Sequence, residues 1–184
     1  MRKLIHVPIV HGPQDLGTEI EAVRKAYVSR FGVRAWQQHL ATVDQFWNQT
    51  RHRLRSLREQ ASTLRVYQDG LPVCGREVEL ARQLAAAGSQ NHRLLVELVD
   101  AGATLLGTED PDLLRQEQQR AHRAGGAAET AAAARYDPLM EARDHYIANR
   151  IDATLAADDL GLLFMGALHR VTEKLPKDIQ VARR

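Results

Sequence analysis

Two histidines each follow a short apolar run. "HVPIVHG" ends on His11, and "FMGALHR" carries His169 three residues after Gly166. Carboxylates stand at comparable places: Asp69 in "VYQDG", and Glu109 with Asp110 in "LLGTEDP". Two neutral imidazoles and a carboxylate with open positions can hold a divalent transition metal and acidify its water, so His11, Glu109 and His169 form one candidate metal set. Without a metal, His11 or His169 could act as a general base, with Glu109 orienting it and Arg143 holding an oxyanion or carboxylate. Neither histidine has a close-spaced second ligand of the H-E-x-x-H kind, which favours the base chemistry.

Arg143 enters through helical spacing. Leu139, Arg143, Tyr146 and Arg150 form one stripe, flanked by Met140, Ile147, Ile151 and Thr154. An arginine on or beside an inward face needs a carboxylate or a bound anion, because an unpaired buried charge is very costly. Glu109 or Asp69 could supply that partner. Asp69 and Tyr146 are read as substrate-contacting residues at the edge of the site.

The elements that must position these side chains alternate. Strands are expected at Leu4–Val10, Leu64–Tyr67, Ala103–Leu106 and Leu160–Met165, with an edge strand at Asp178–Ala182. Thr18 and Glu21 make a capping box for a helix ending at Gly32. A long helix is expected over 35–61, others over Glu77–Ala87 and from Ser89 to Gly102, one opened by Pro111, and a second long one over 138–157. Residues 124–134, "AGGAAETAAAA", read as a low-complexity connection or weak helix. Alternating strands and helices predict an α/β fold, a mostly parallel four- to five-stranded sheet flanked by helices, as a single domain over 1–184. Ligands of open α/β sheets bind outside the carboxyl ends of the strands. His11, Asp69, Glu109 and His169 all fall there.

The combination of an early strand-end histidine, "LLGTED", "ARDHYIANRI" and a late Gly-x-x-His resembles the superfamily joining erythromycin esterases, Tiki proteases, TraB/PrgY-like proteins and ChaN-like haem-binding proteins. Within it, the chain is similar to small prokaryotic members, through "VPIVHGPQDLG", "VYQDGLPV", "GATLLGTEDPDLL" and "GLLFMGALHRV". The resemblance implies a hydrolytic site, metal-assisted in some members. Gly166–His169 matches the second Gly-x-x-His motif, Glu109 the glutamate after a strand, and Arg143 the helical arginine. The first motif departs, with Pro8 where glycine is expected. The function expected is hydrolysis of a small ester, amide or related anionic substrate. The alternative is a non-catalytic binding module for a metal, haem or small signalling anion.

Composition narrows the partners. The 184 residues carry 25 Lys+Arg against 23 Asp+Glu, a balance that gives no whole-chain attraction to nucleic acid. "RHRLRSLR", residues 51–58, is the strongest basic cluster and could grip phosphates, but it also fits a solvated amphipathic face. The N-terminal apolar run is broken by His6 and Pro8 and lacks a small-residue cleavage site, so it reads as a strand and not a signal peptide. No apolar segment approaches the ~20 residues that span a bilayer, and no membrane partner is expected. The single cysteine, Cys74, is expected to be buried and excludes a disulfide framework, in keeping with a cytoplasmic location. Trp36, Phe46 and Trp47 read as core or a dimer seam. The long helix 35–61 could extend beyond a small sheet and so allows a homodimer, which is also the common default for self-association.

Overall fold

The computed structural model describes residues 1–12, 15, 20–123 and 137–183. In chain order the elements are β1 (Arg2–Pro8), α1 (Ile20–Phe31), α2 (Val33–Arg53), a 3-10 helix η1 (Arg55–Thr63), β2 (Leu64–Pro72), α3 (Glu77–Ala86) and α4 (Gln90–Asp100). Then follow β3 (Thr104–Glu109), α5 (Pro111–Arg123), α6 (Pro138–Thr154), β4 (Leu160–Met165), a 3-10 turn η2 (Val171–Glu173) and β5 (Ile179–Arg183). The fold is α/β, with a five-stranded sheet in the order β3-β2-β4-β1-β5. Every neighbouring pair is parallel. The expected Thr18 cap and the 124–134 connection lie outside the described residues.

The chain forms two compact units. One comprises residues 1–9, 63–77 and 104–184 and holds the whole sheet with α5, α6 and η2; the other comprises 10–62 and 78–103.

In the sheet unit, strand alternation sends Leu4, Tyr67, Leu163 and Met165 to one face, where they bury against Ile147, Ala148 and Ile151 of α6. Each fully buried side chain of this kind stabilises by about 1.5–3 kcal/mol. Asp137 starts α6 by accepting from the Leu139 amide at 3.0 Å, with Pro138 at the first helical position, where its missing N–H costs nothing. A Cβ on Gly161 would lie 2.4 Å from Leu4 Cδ1, so any larger residue there would displace the buried Leu4 side chain.

In the second unit, Trp36, Val43, Trp47 and Thr50 are the buried stripe of α2, and Leu94, Leu95 and Leu98 that of α4. Trp47 Nε1 donates to the Val10 carbonyl at 2.9 Å. The expected helix over 35–61 stops being α-helical at Leu54. Leu54 and Leu57, both buried, are three residues apart, a spacing that the tighter 3-10 winding eclipses onto one side. The Leu57 amide accordingly donates to the Leu54 carbonyl at 3.0 Å.

β2 and β3 extend further toward the site than the apolar runs suggest, whereas β1 begins at Arg2 and ends at Pro8, short of the expected Val10. β2 continues to Pro72 and β3 to Glu109, with a register shift between Gln68 and Pro72. Gly107 permits this, because a Cβ there would sit 2.5 Å from the Pro72 carbonyl oxygen. The connections from β1 to β2 and from β2 to β3 step toward one edge, whereas those from β3 to β4 and β4 to β5 step toward the other. β2 and β4 are therefore neighbours whose following connections leave in opposite directions. Crevices outside the carboxyl ends of such strand pairs are where α/β sheets bind ligands. Among the described residues no helix is long and apolar enough to cross a membrane.

Candidate functional site

At the end of β2, Tyr67 and Asp69 point to the face covered by α6. Just past β4, the Gly166 amide donates to Asp69 Oδ2 at 3.0 Å, and a Cβ on Gly166 would press to 3.0 Å from that oxygen. The His169 amide donates back to the Gly166 carbonyl at 3.3 Å. The Gly-x-x-His spacing is thus a turn that folds the imidazole over the strand end. His169 Nε2 lies 3.3 Å from Asp69 Oδ1, and Nδ1 lies 2.5 Å from Asp144 Oδ1. Asp144 also accepts from the Arg170 amide at 2.7 Å through Oδ2.

Arg143 occupies the middle of the group. Its Nη2 donates to Glu109 Oε1 at 2.6 Å and its Nε to Glu109 Oε2 at 3.1 Å, the bidentate arrangement that a planar guanidinium favours. Nη2 also approaches Asp69 Oδ1 at 3.4 Å, and Nη1 bonds Glu117 of α5. Glu109 is wholly buried and Arg143 almost so. Four carboxylates (Asp69, Glu109, Glu117, Asp144) and two cationic side chains (Arg143, His169) form one connected network. Its placement follows from α6, where positions 143, 147 and 151 make one inward row and 144 and 148 the next.

Burial opposes a charge on His169, but the hydrogen bonds to Asp144 and Asp69 outweigh it and push the imidazole up to about 10. Burial likewise opposes a charge on Asp69, yet the bond and charge of His169, with Arg143 and the Gly166 amide, hold its carboxyl down to about 2. His169 is an imidazolium and Asp69 a carboxylate at neutral pH. Burial pushes the Glu109 carboxyl up, opposed by Arg143.

Beside this network a cavity of about 440 Å³ is lined by His6 and Pro8 of β1, Gly166, Ala167, His169, Arg170, Thr172 and Glu173. Arg170, paired with Glu173, is half exposed there.

No family model, curated protein or solved structure matches this chain.

Of the residues singled out from sequence, Asp69, Glu109, Arg143 and His169 come together. His11 belongs to the second unit and is exposed. Tyr146 is half buried on α6 and bonds to none of the network. Asp144 and Glu117 were not singled out. Asp144 was legible in principle, since a stripe through Arg143, Ile147 and Ile151 also turns 144 and 148 inward. Glu117 carries no such signal, because its partner is decided by the packing of α5 on α6. Cys74, expected to be buried, is exposed in the turn after β2, where its amide donates to Glu77 Oε1 at 2.9 Å.

Asp69, Glu109 and His169 each offer a ligand atom within 4.8 Å of the others, as a metal site would require. The donor set as arranged does not fit one. Both imidazole nitrogens are engaged by carboxylates, and the Arg143 guanidinium already neutralises Glu109 and faces Asp69. A metal would have to displace a bidentate cation and take an imidazole nitrogen from its carboxylate.

Proposed function

We propose that the chain is a hydrolase acting on a small ester, amide or related anionic substrate at the rim where β2 and β4 end. The observation that carries this reading is His169, a buried imidazole held by Asp144 through Nδ1 and facing Asp69 through Nε2 in the wall of a small-molecule-sized cavity. A group of this kind is a proton donor at neutral pH. Perturbed titratable pairs in clefts are where catalysis concentrates. The resemblance to the esterase-containing superfamily supports the same reading through Glu109, Arg143 and the Gly166–His169 spacing.

In this reading Asp69 accepts a proton from the attacking water as the water oxygen bonds to the acyl carbon. His169 Nε2–H protonates the leaving oxygen or nitrogen as its bond to that carbon breaks. As His169 loses its charge, its hold on Asp69 weakens, so Asp69 becomes a better base when one is needed. The proton taken by Asp69 then passes to Nε2 across their contact, and both groups are restored. Asp144 holds the ring, and the Glu109–Arg143 pair fixes Asp69 from behind; these are positioning residues. Arg170 faces the cavity and would attract an anionic group.

The test is hydrolysis of a panel of small esters and amides by the full chain, with His169→Gln and Asp69→Asn. Each variant is expected to lower kcat/KM by about a hundredfold or more, the usual worth of a positioned proton-transfer group. Turnover that survives His169→Gln unchanged rules the mechanism out. A wild-type protein that turns over none of the panel, but binds an anionic ligand lost on His169→Gln, is instead a binding module. That outcome draws on the same imidazolium.

A further inference from the structure

The second unit holds a concentration of positive charge that the proposed hydrolysis does not use. Thr50, Leu54, Leu57 and Ala61 are buried and pin one side of the α2–η1 segment inward. Arg51, Arg55 and Arg58, at steps of four and three, are thereby held along the adjoining side. Arg51 and Arg58 meet α4 at Glu97. Arg51 Nε reaches Glu97 Oε1 and Oε2 at 3.1 and 3.3 Å, and Arg58 Nη2 bonds Oε2. Arg51 Nη1 also bonds Asn48 Oδ1 at 3.1 Å. With His52, these residues line a cavity of about 420 Å³, within the range of small-ligand sites.

The charges do not balance. One carboxylate faces three guanidiniums, and among the described residues Arg55 has no ion-pair partner. The negative end of the α2 dipole favours cations in its last turn, which accounts for Arg51 and His52. It does not account for Arg55 and Arg58, which lie beyond that turn on η1. Three guanidiniums around one carboxylate leave two positive charges in excess at a shared cavity, a setting that suits a compact anion carrying more than one charge. Phosphate matches the guanidinium fork in geometry as well as charge, and a monovalent carboxylate would leave one arginine over.

We propose that the groove formed by the end of α2, η1 and α4 binds a small diphosphate-type anion through Arg51, Arg55 and Arg58. The lining offers no Phe, Tyr or Trp platform on which successive bases could stack, which argues for a phosphate group and against a single-stranded nucleic acid.

The experiment is calorimetric titration of the full chain with inorganic pyrophosphate at low salt, with acetate as the monovalent control. Saturable binding is expected, weakened about tenfold by Arg55→Ala, the loss expected for one charge-assisted contact. Arg55 is exposed, so this variant is expected to fold as the parent does. Glu97→Gln removes the competing carboxylate and is expected to tighten binding several-fold. Hydrolytic activity at the sheet rim should be unchanged in Arg55→Ala, which separates this inference from the preceding one. No saturable heat at millimolar pyrophosphate overturns it, as does binding that Arg55→Ala and Arg51→Ala both leave intact. Single-stranded RNA that binds and is not displaced by pyrophosphate also overturns it, and makes the groove a nucleic-acid face.

Discussion

Replacing Asp144 by Asn tests the charged histidine directly. In the parent protein His169 is 5% exposed and lies between Asp144 and Asp69. A tenfold change in proton affinity is worth about 1.4 kcal/mol. Raising the ring from 6.5 to about 10 therefore couples folding to protonation by on the order of 5 kcal/mol, shared between the two carboxylates. Because the folded value is raised, this stability is fully present below 6.5 and is lost as pH climbs toward about 10. Asn keeps one acceptor of nearly the same shape but removes the charge, which should lower the His169 value by roughly 1–3 units. At about pH 6 the variant should be less stable than the parent by about 2–3 kcal/mol, from half the coupled energy. The deficit should shrink as pH rises, since a neutral ring gains much less from either carboxylate. Urea denaturation at several pH values gives the deficit, and imidazole NMR gives the titration itself. A parent His169 that titrates near 6.5, or a deficit independent of pH, would falsify the account.

Three further outcomes follow from the same geometry. Arg143→Ala leaves the wholly buried Glu109 without its bidentate partner and should cost about 3–5 kcal/mol in urea denaturation, whereas the double change Arg143→Met with Glu109→Leu should recover most of it. If the single and double variants are equally unstable, the pair is not what matters. Gly107→Ala brings a Cβ to 2.5 Å from the Pro72 carbonyl and should cost about 1–3 kcal/mol, with a loss of activity that exceeds the loss of folded protein. A melting temperature equal to the parent's would show that β2 does not need this approach. The pH–rate profile of kcat/KM should be level through neutrality, with an alkaline limb at about 10 from His169 and an acid limb toward about 2 from Asp69. A limb near 6.5 would point to an unperturbed histidine and a different base.

The alternation of apolar runs with helical stripes was enough to predict a parallel α/β sheet, because buried parallel strands have to be continuous apolar segments joined by helical crossovers. β4 matches its expected span, and β5 is an edge strand as expected. The inward face of α6 was also legible, and with it Arg143 and its need for a carboxylate. What could not be read was the choice among Asp69, Glu109 and Glu117, and the answer is that Arg143 bonds all three. That depends on strand order, on the register shift at the end of β2 and on the seat of α5, none of which leaves a local periodicity. His169 was placed by its spacing from Gly166, but its charge was not, since an imidazole becomes a stable cation only when tertiary packing brings Asp69 and Asp144 to its two nitrogens. Sequence determined which faces are buried, because periodicity is a local property of the chain. Only the tertiary structure decided which buried charges meet, because ion pairs are set by distances between segments far apart in sequence.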